Sequence, residues 1–332
     1  MQRRVFLASV AGTTVLAGCS NGAVGPDEEE AADEIDAGER EDNETGPGPD
    51  YSEINESETD PDPDYGEVNG AEELLQTADQ YDSISFEGNW AHLFRYVYEG
   101  SDTTTNTNWP NVPFRVRWPE GEYYGTTMDY FFKDHYDSEP EAGYVRTWMQ
   151  FPDGWEFHSD GLGGTKLPGF ASRFNGREEG ERAGWGGRAS DGTNGWSARM
   201  FNCRPDRHPE HAGPIALGSQ IYHANAASEY GDHPRWSVPL ETKTWHRIDQ
   251  YVEVNTPGKP DGSYLGWVDG ELAIGVDDLY MREKGYEDIK IESLWFNCYF
   301  GGDWKSPIEQ HMHFDNLQLW LWDERPGVTA KK

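Results

Sequence analysis

From about Ile84 to the C-terminus, no apolar pattern with a helical period survives. Short runs rich in strand formers occur at Tyr144–Phe151, Gly195–Asn202, Gln220–Asn225, Trp245–Val254, Gly262–Val268, Ile289–Phe300 and His311–Trp322. Gly and Pro punctuate them roughly every 8–12 residues, the signature of an all-β sandwich or jelly roll. Asp261-Gly262 and Asp269-Gly270 read as the turns of two hairpins. Helical pieces are expected only at Tyr130–His135, around Asp277–Glu283 and near Ala71–Asp79. No internal repeat is visible.

The N-terminal 80 residues have a different texture. Arg3-Arg4-Val5-Phe6-Leu7, a short apolar run and Leu16-Ala17-Gly18-Cys19 resemble a twin-arginine export signal ending in a lipobox. The apolar run is shorter than the roughly 18 residues a membrane span requires. The expectation is a 1–19 signal, lipidation of Cys19 and a mature protein outside the cell, tethered to the outer face of the membrane. Residues 20–80 hold 22 acids and one base, a net −21, with almost no aromatics. Such a stretch cannot bury enough apolar surface to offset its ordering entropy, so a disordered acidic spacer is expected. The folded domain is then 81–332, and a monomer is expected.

The whole chain carries a formal net charge of −34. Nucleic-acid binding requires Lys and Arg to neutralise phosphates, so nucleic acid is excluded as a partner. The domain itself, with 39 acids and 24 bases, is still −15. Dense carboxylates of this kind suit an extreme-salt habitat, where their repulsion is screened. A polyanionic ligand would have to meet a local basic face.

Aromatics make up 14% of residues. They serve the core or strand faces, or some of them line a carbohydrate groove, where flat rings stack on sugars. Cys203 and Cys298 fit two buried thiols as well as one disulfide. His208, Glu210 and His211, with His233, have ligand-like spacing, but a polar loop explains them equally, and no metal or other cofactor is expected. His311, His313 and Asp315 alternate on one strand and share a face. No phosphate loop or Gly-x-Ser-x-Gly elbow is present.

Gly163-Gly164-Thr165-Lys166-Leu167-Pro168-Gly169 resembles the GGxKLPG segment of polysaccharide lyase family 14, the alginate and glucuronan lyase-like group. Further pieces follow in the same order: Trp196-Ser197-Ala198-Arg199-Met200, Ile221-Tyr222-His223, Tyr230-Gly231-Asp232, Val254–Gly258, Trp267–Gly270, Phe300-Gly301-Gly302 with Trp304, and Phe314-Asp315-Asn316. Together they cover roughly residues 145–320. The resemblance implies a concanavalin-like β-jelly roll that cleaves a uronate-containing acidic polysaccharide by β-elimination, with catalytic Lys166, Ser197, Arg199 and Tyr222. One departure stands out, since Gln220 replaces the first tyrosine of the usual Tyr-x-Tyr-His.

The chemistry fits those residue types. β-Elimination at a 4-linked uronate needs neutralisation of the carboxylate, a base for the C5 proton and an acid for O4. Arg199 suits the first as a permanently charged fork. Lys166 suits the first or the second, and Tyr222 the second or the third. Ser197 and Arg199, two apart, share a strand face. Substrate contacts are expected from Gln220, His223, Trp196, Trp304 and His313. Two alternatives remain: a non-catalytic carbohydrate-binding lipoprotein, favoured by Gln220, and a glycoside hydrolase, which would need two carboxylates facing across the groove.

Overall fold

The computed structural model describes residues 71–86, 90–99, 113–161, 163–175, 177–207, 213–301 and 304–330. The export signal, Cys19 and the spacer up to residue 70 lie outside the described residues, as do His208, Glu210 and His211. Thirteen strands are described: β1 (Gln80–Ile84), β2 (Arg95–Glu99), β3 (Phe114–Trp118), β4 (Tyr124–Phe131), β5 (Ala142–Gln150), β6 (Thr165–Ser172), β7 (Trp196–Cys203), β8 (Ala216–Tyr222), β9 (His246–Glu253), β10 (Gly262–Val268), β11 (Glu271–Leu279), β12 (Ser293–Phe300) and β13 (Gln310–Trp322). Two short α-helices, α1 (Glu72–Leu75) and α2 (Phe132–Tyr136), and three 3-10 turns at Trp90–Leu93, Glu179–Glu181 and Pro205–Arg207 complete the description.

The strands form two antiparallel sheets. Sheet I runs β1-β13-β5-β9-β10-β11, with β3 also beside β13, and sheet II runs β2-β4-β12-β6-β7-β8. The chain passes between sheets after each of the first five strands and again after β8, β11 and β12, which makes a jelly-roll sandwich rather than a meander. Strand alternation explains the core. Leu294, Phe296, Cys298 and Phe300 of β12 point inward, as do Met312, Phe314, Leu317, Leu319 and Leu321 of β13. Many aromatics weighed for a sugar groove, including Trp118, Trp155, Trp196 and Trp236, are core residues.

The β10–β11 hairpin turns at Asp269-Gly270, both with positive φ (51° and 86°), the conformation that favours Asp-Gly there. The β9–β10 link is a longer loop, in which the Asp261 carboxylate accepts from the Thr256 amide and hydroxyl.

Three sequence expectations are corrected. Residues 71–80, assigned to the spacer, belong to the fold: Ala71 and Leu75 are buried against Tyr144, Tyr251, Leu265 and Trp322 on the outer face of sheet I. The helix expected at Asp277–Glu283 does not form, because β11 extends to Leu279 along β10 and Asn255 Oδ1 then accepts the Met281 and Arg282 amides. Cross-strand pairing outweighs local propensity there. The helix placed at Tyr130–His135 starts two residues later, since Tyr130 and Phe131 still pair with β12. Cys203 and Cys298 are buried free thiols, pointing to opposite faces of sheet II, which leaves no disulfide between them.

Candidate active site

The residues of sheet II that do not point into the core form its outer face, and strand register sets them in rows. The first row runs Tyr299 (β12), Lys166 (β6), Phe201 (β7), Gly218 (β8) and Arg235. The second runs Trp295, Gly169, Arg199 and Gln220. The third runs Ser293, Ala171, Ser197 and Tyr222. All four catalytic residues expected from the sequence therefore lie on one face of three adjacent strands.

A bulge makes this possible. Lys166 to Gly169 spans three residues of β6 opposite only two of β7, Phe201 to Arg199. Pro168, which lacks an N–H for the ladder, sits in the bulge. Gly169 is needed for close approach, since a Cβ there would fall 2.1 Å from the Ala198 carbonyl oxygen and 2.5 Å from Arg199 Cα.

Lys166 is half-buried, with Nζ 5.1 Å from the Tyr299 ring centroid. The electron-rich ring face attracts the ammonium form. Arg235 lies 4.8 Å over Phe201 in the same row. His233, packed nearby, is held below the ordinary imidazole value by burial first, then by the like charges of Arg235 and Lys166.

Arg199 is fully buried. Its guanidinium lies 3.8 Å over Trp295 and donates from Nη1 to Asn297 Oδ1 at 2.9 Å and from Nη2 to Gln220 Oε1 at 3.5 Å. Arg173 approaches the same indole at 3.5 Å and pairs with buried Asp129 at 2.6 Å. In this conformation Arg199 is not an exposed fork for a carboxylate. It is a fixed positive charge beneath the middle row.

Gln220 Nε2 donates to the Tyr230 carbonyl at 3.0 Å and to the Tyr222 hydroxyl oxygen at 3.3 Å. The Gly187 amide also donates to that oxygen, at 3.4 Å. Tyr222 is buried under the loop 183–188 and beside Tyr230, whose ring is half exposed and lies close to Gly187. Ser197 Oγ donates to the Gly184 carbonyl at 2.5 Å, so it anchors this loop.

The expected substrate contacts fare unevenly. Trp196 points into the core and is inaccessible, because it is one residue out of phase with Ser197. His313 is on β13 of sheet I, 6.4 Å from Trp245, and so on the wrong sheet. His223 is buried, its Nδ1 accepting from the Tyr280 amide at 3.4 Å. That fixes the proton on Nε2, which donates to Asp232 at 2.8 Å. The Gln220 amide is spent on protein partners. Trp304 packs against Gly161, in the loop ahead of the Lys166 segment. Among the described residues, no group of three His, Cys, Asp or Glu side chains is placed to hold a metal ion.

Asn297, Trp295 and Tyr230 were not singled out from the sequence. Asn297 carried a signal, being an amide in an otherwise apolar strand at an outward alternate position. Tyr230 lay in a quoted motif but had no assigned role.

A two-sheet sandwich with cations, amides and phenols gathered on one outer face defines a β-jelly-roll protein whose site lies across the strands of one sheet. The polysaccharide lyase 14 model matches residues 112–317. The chain belongs to that family, and it is a polysaccharide lyase. Its fold is similar to that of the alginate lyase Aly36B, at 16% identity and a TM-score of 0.55 over 74% of this chain and 98% of that one. It is also similar to the marine alginate lyase from Aplysia kurodai, at 20% identity and a TM-score of 0.54 over 72% and 98%. No curated protein matches the chain.

Proposed function

We propose that this chain cleaves a uronate-containing polysaccharide, alginate or a glucuronan-like polymer, by β-elimination on the outer face of sheet II. The observation that carries the reading is the row geometry. Lys166, Arg199 and Tyr222 stand on successive rows of β6, β7 and β8, in a protein of net charge −34. Cations so placed serve a polyanion. The two alginate lyases of similar fold support the substrate class.

In this reading the uronate lies over the middle row. The Lys166 ammonium, favoured by the Tyr299 ring, neutralises the sugar carboxylate and so acidifies the C5 proton. Tyr222, as phenolate, takes that proton. The C5 electron pair forms the C4=C5 bond, the C4–O4 bond breaks, and O4 leaves with its pair and receives the proton. Arg199 supplies fixed positive charge beneath the sugar in a site screened from water. Ser197 acts through the loop it anchors. Gly184, Gly186 and Gly187 all have positive φ (105°, 57° and 81°), backbone conformations that glycine adopts without strain, and in this reading the loop they form moves aside for the polymer. The test is incubation with defined polyuronates, following ultraviolet absorbance and reducing ends together.

Export through the twin-arginine signal, lipidation at Cys19 and adaptation to high salt extend the proposal. The charge of the acidic segments supports the last. Thermal unfolding with and without molar salt tests it: loss of stability in dilute buffer is expected, and equal stability would contradict it.

A further inference from the structure

We infer that Gln220 is a positioning residue that couples Arg199 to Tyr222 and stabilises the Tyr222 phenolate. The inference rests on the lyase reading for its role in turnover, although its physical core does not.

The orientation of the Gln220 amide is not arbitrary. Arg199 Nη2 can only donate, so the atom it meets at 3.5 Å is the amide oxygen. The Tyr230 carbonyl can only accept, so the atom 3.0 Å from it is the amide nitrogen. The same nitrogen reaches the Tyr222 oxygen at 3.3 Å and is therefore a donor to it. The guanidinium polarises the amide through its oxygen, which strengthens the hydrogen bonds that its N–H groups donate on the other side.

The Tyr222 oxygen thus accepts from Gln220 Nε2 and from the Gly187 amide. Two N–H donors on a phenol oxygen favour the charged form over the neutral one. The Gly187 donor belongs to the loop and is lost when the loop moves aside. The Gln220 donor comes from β8 itself and stays.

The charged groups on the elements packed against Tyr222 are Arg199 on β7, Arg188 on the covering loop, and the His223–Asp232 pair beyond β8. Arg199 favours phenolate and Asp232 opposes it, while the Arg188 guanidinium is engaged by the Trp185 ring and the Glu179 carbonyl. A tyrosine at position 220 would offer one hydroxyl in place of an amide that bridges cation and phenol, so the replacement changes how Tyr222 is tuned.

The test begins without substrate. Ultraviolet difference titration of the wild type against Tyr222→Phe isolates the ionisation of this one phenol among 17 tyrosines. The same difference is measured in the Gln220→Leu background and in Gln220→Glu, which keeps the volume and a partner for Arg199 but removes the N–H. In both backgrounds the Tyr222 ionisation is expected to move up by about one pH unit, a tenfold change. The acidic limb of kcat/KM moves by the same amount while KM stays within about twofold. An unmoved phenol titration in both variants overturns the inference, whatever the enzyme does. A moved titration in a protein inert toward every polyuronate sustains the coupling and removes the lyase reading instead. Uniform loss of activity with an unchanged pH profile would make Gln220 merely structural and overturn the inference.

Discussion

Lys166 and Gly169 stand three positions apart on β6, yet both face outward from sheet II, because the Leu167-Pro168 bulge adds a residue opposite β7. The bulge is held from inside the core. Trp236 Nε1 donates to Ser219 Oγ at 2.8 Å, Ser219 Oγ to the Tyr264 hydroxyl at 2.9 Å, and that hydroxyl to Gln250 Oε1 at 3.1 Å. Gln250 Nε2 donates in turn to the Pro168 carbonyl at 3.2 Å. A buried polar chain of this kind specifies one arrangement, since each unmet partner would cost about 1–3 kcal/mol. The core of the sandwich thereby fixes where Lys166 emerges.

Gly169→Ala is expected to destabilise the protein by about 2–4 kcal/mol, because its Cβ would meet strand backbone that cannot move aside alone. For a domain of this size the melting temperature should fall by roughly 5–15 °C, read by calorimetry in the working salt. A fall of a degree or less would show that β6 and β7 can separate there.

Lys166→Ala should lower kcat by a hundredfold or more with a melting temperature within about 2 °C of wild type, since the side chain is partly exposed and its loss opens no core cavity. Arg199→Ala should lose both activity and stability, because Asn297 and Gln220 lose a buried partner. Steady-state rates and unfolding curves of the two variants separate these effects. Near-wild-type rates in Lys166→Ala would remove it from the site.

How much of this was legible beforehand follows from what strands reveal. The β-sandwich was visible because Gly and Pro punctuation and period-two alternation are local properties. The Lys166, Ser197, Arg199 and Tyr222 set was visible through motif order, and its shared face follows from register. Trp196 was misassigned although its neighbour Ser197 already fixed its phase. His313 was misplaced because no local signal says which of two sheets a strand joins. The burial of Arg199 depends on Trp295 and Asn297, which are about 100 residues away in sequence and adjacent only after β12 pairs beside β6. Leu74 and Leu75, amid acids, were the small apolar signal that residues 71–80 belong to the fold.

Ser197→Ala should act through the loop rather than the chemistry. Removing its bond to the Gly184 carbonyl costs about 1 kcal/mol, and kcat should fall less than in Lys166→Ala. Hydrogen exchange over residues 183–188 should speed up in the variant. Unchanged exchange with a loss equal to that of Lys166→Ala would place Ser197 in the chemistry itself.

The pH dependence of stability should carry a mark from His313. Burial, then His311 and Arg115, lower its value from the ordinary 6.5 to about 4. The folded state therefore keeps it neutral while the unfolded chain takes up a proton. Its contribution is complete above about 6.5 and is lost as pH falls through about 4. The upper limit is roughly 3 kcal/mol, lowered by solvent screening. His313→Gln should flatten the acid loss between pH 7 and 4 by about 1–2 kcal/mol in denaturant unfolding, with lyase activity retained, since the residue lies on sheet I. An identical acid profile would contradict the assignment.

The most direct measurement is ultraviolet absorbance during incubation of the protein with polymannuronate, polyguluronate and glucuronan in high salt, with Lys166→Ala alongside. β-Elimination leaves a C4=C5 double bond conjugated to the carboxylate, which absorbs, and hydrolysis leaves none. A steady rise with at least one polymer, absent in Lys166→Ala, is the expected result. New reducing ends without any rise in absorbance, or a rise that Lys166→Ala retains in full, would contradict elimination at this face.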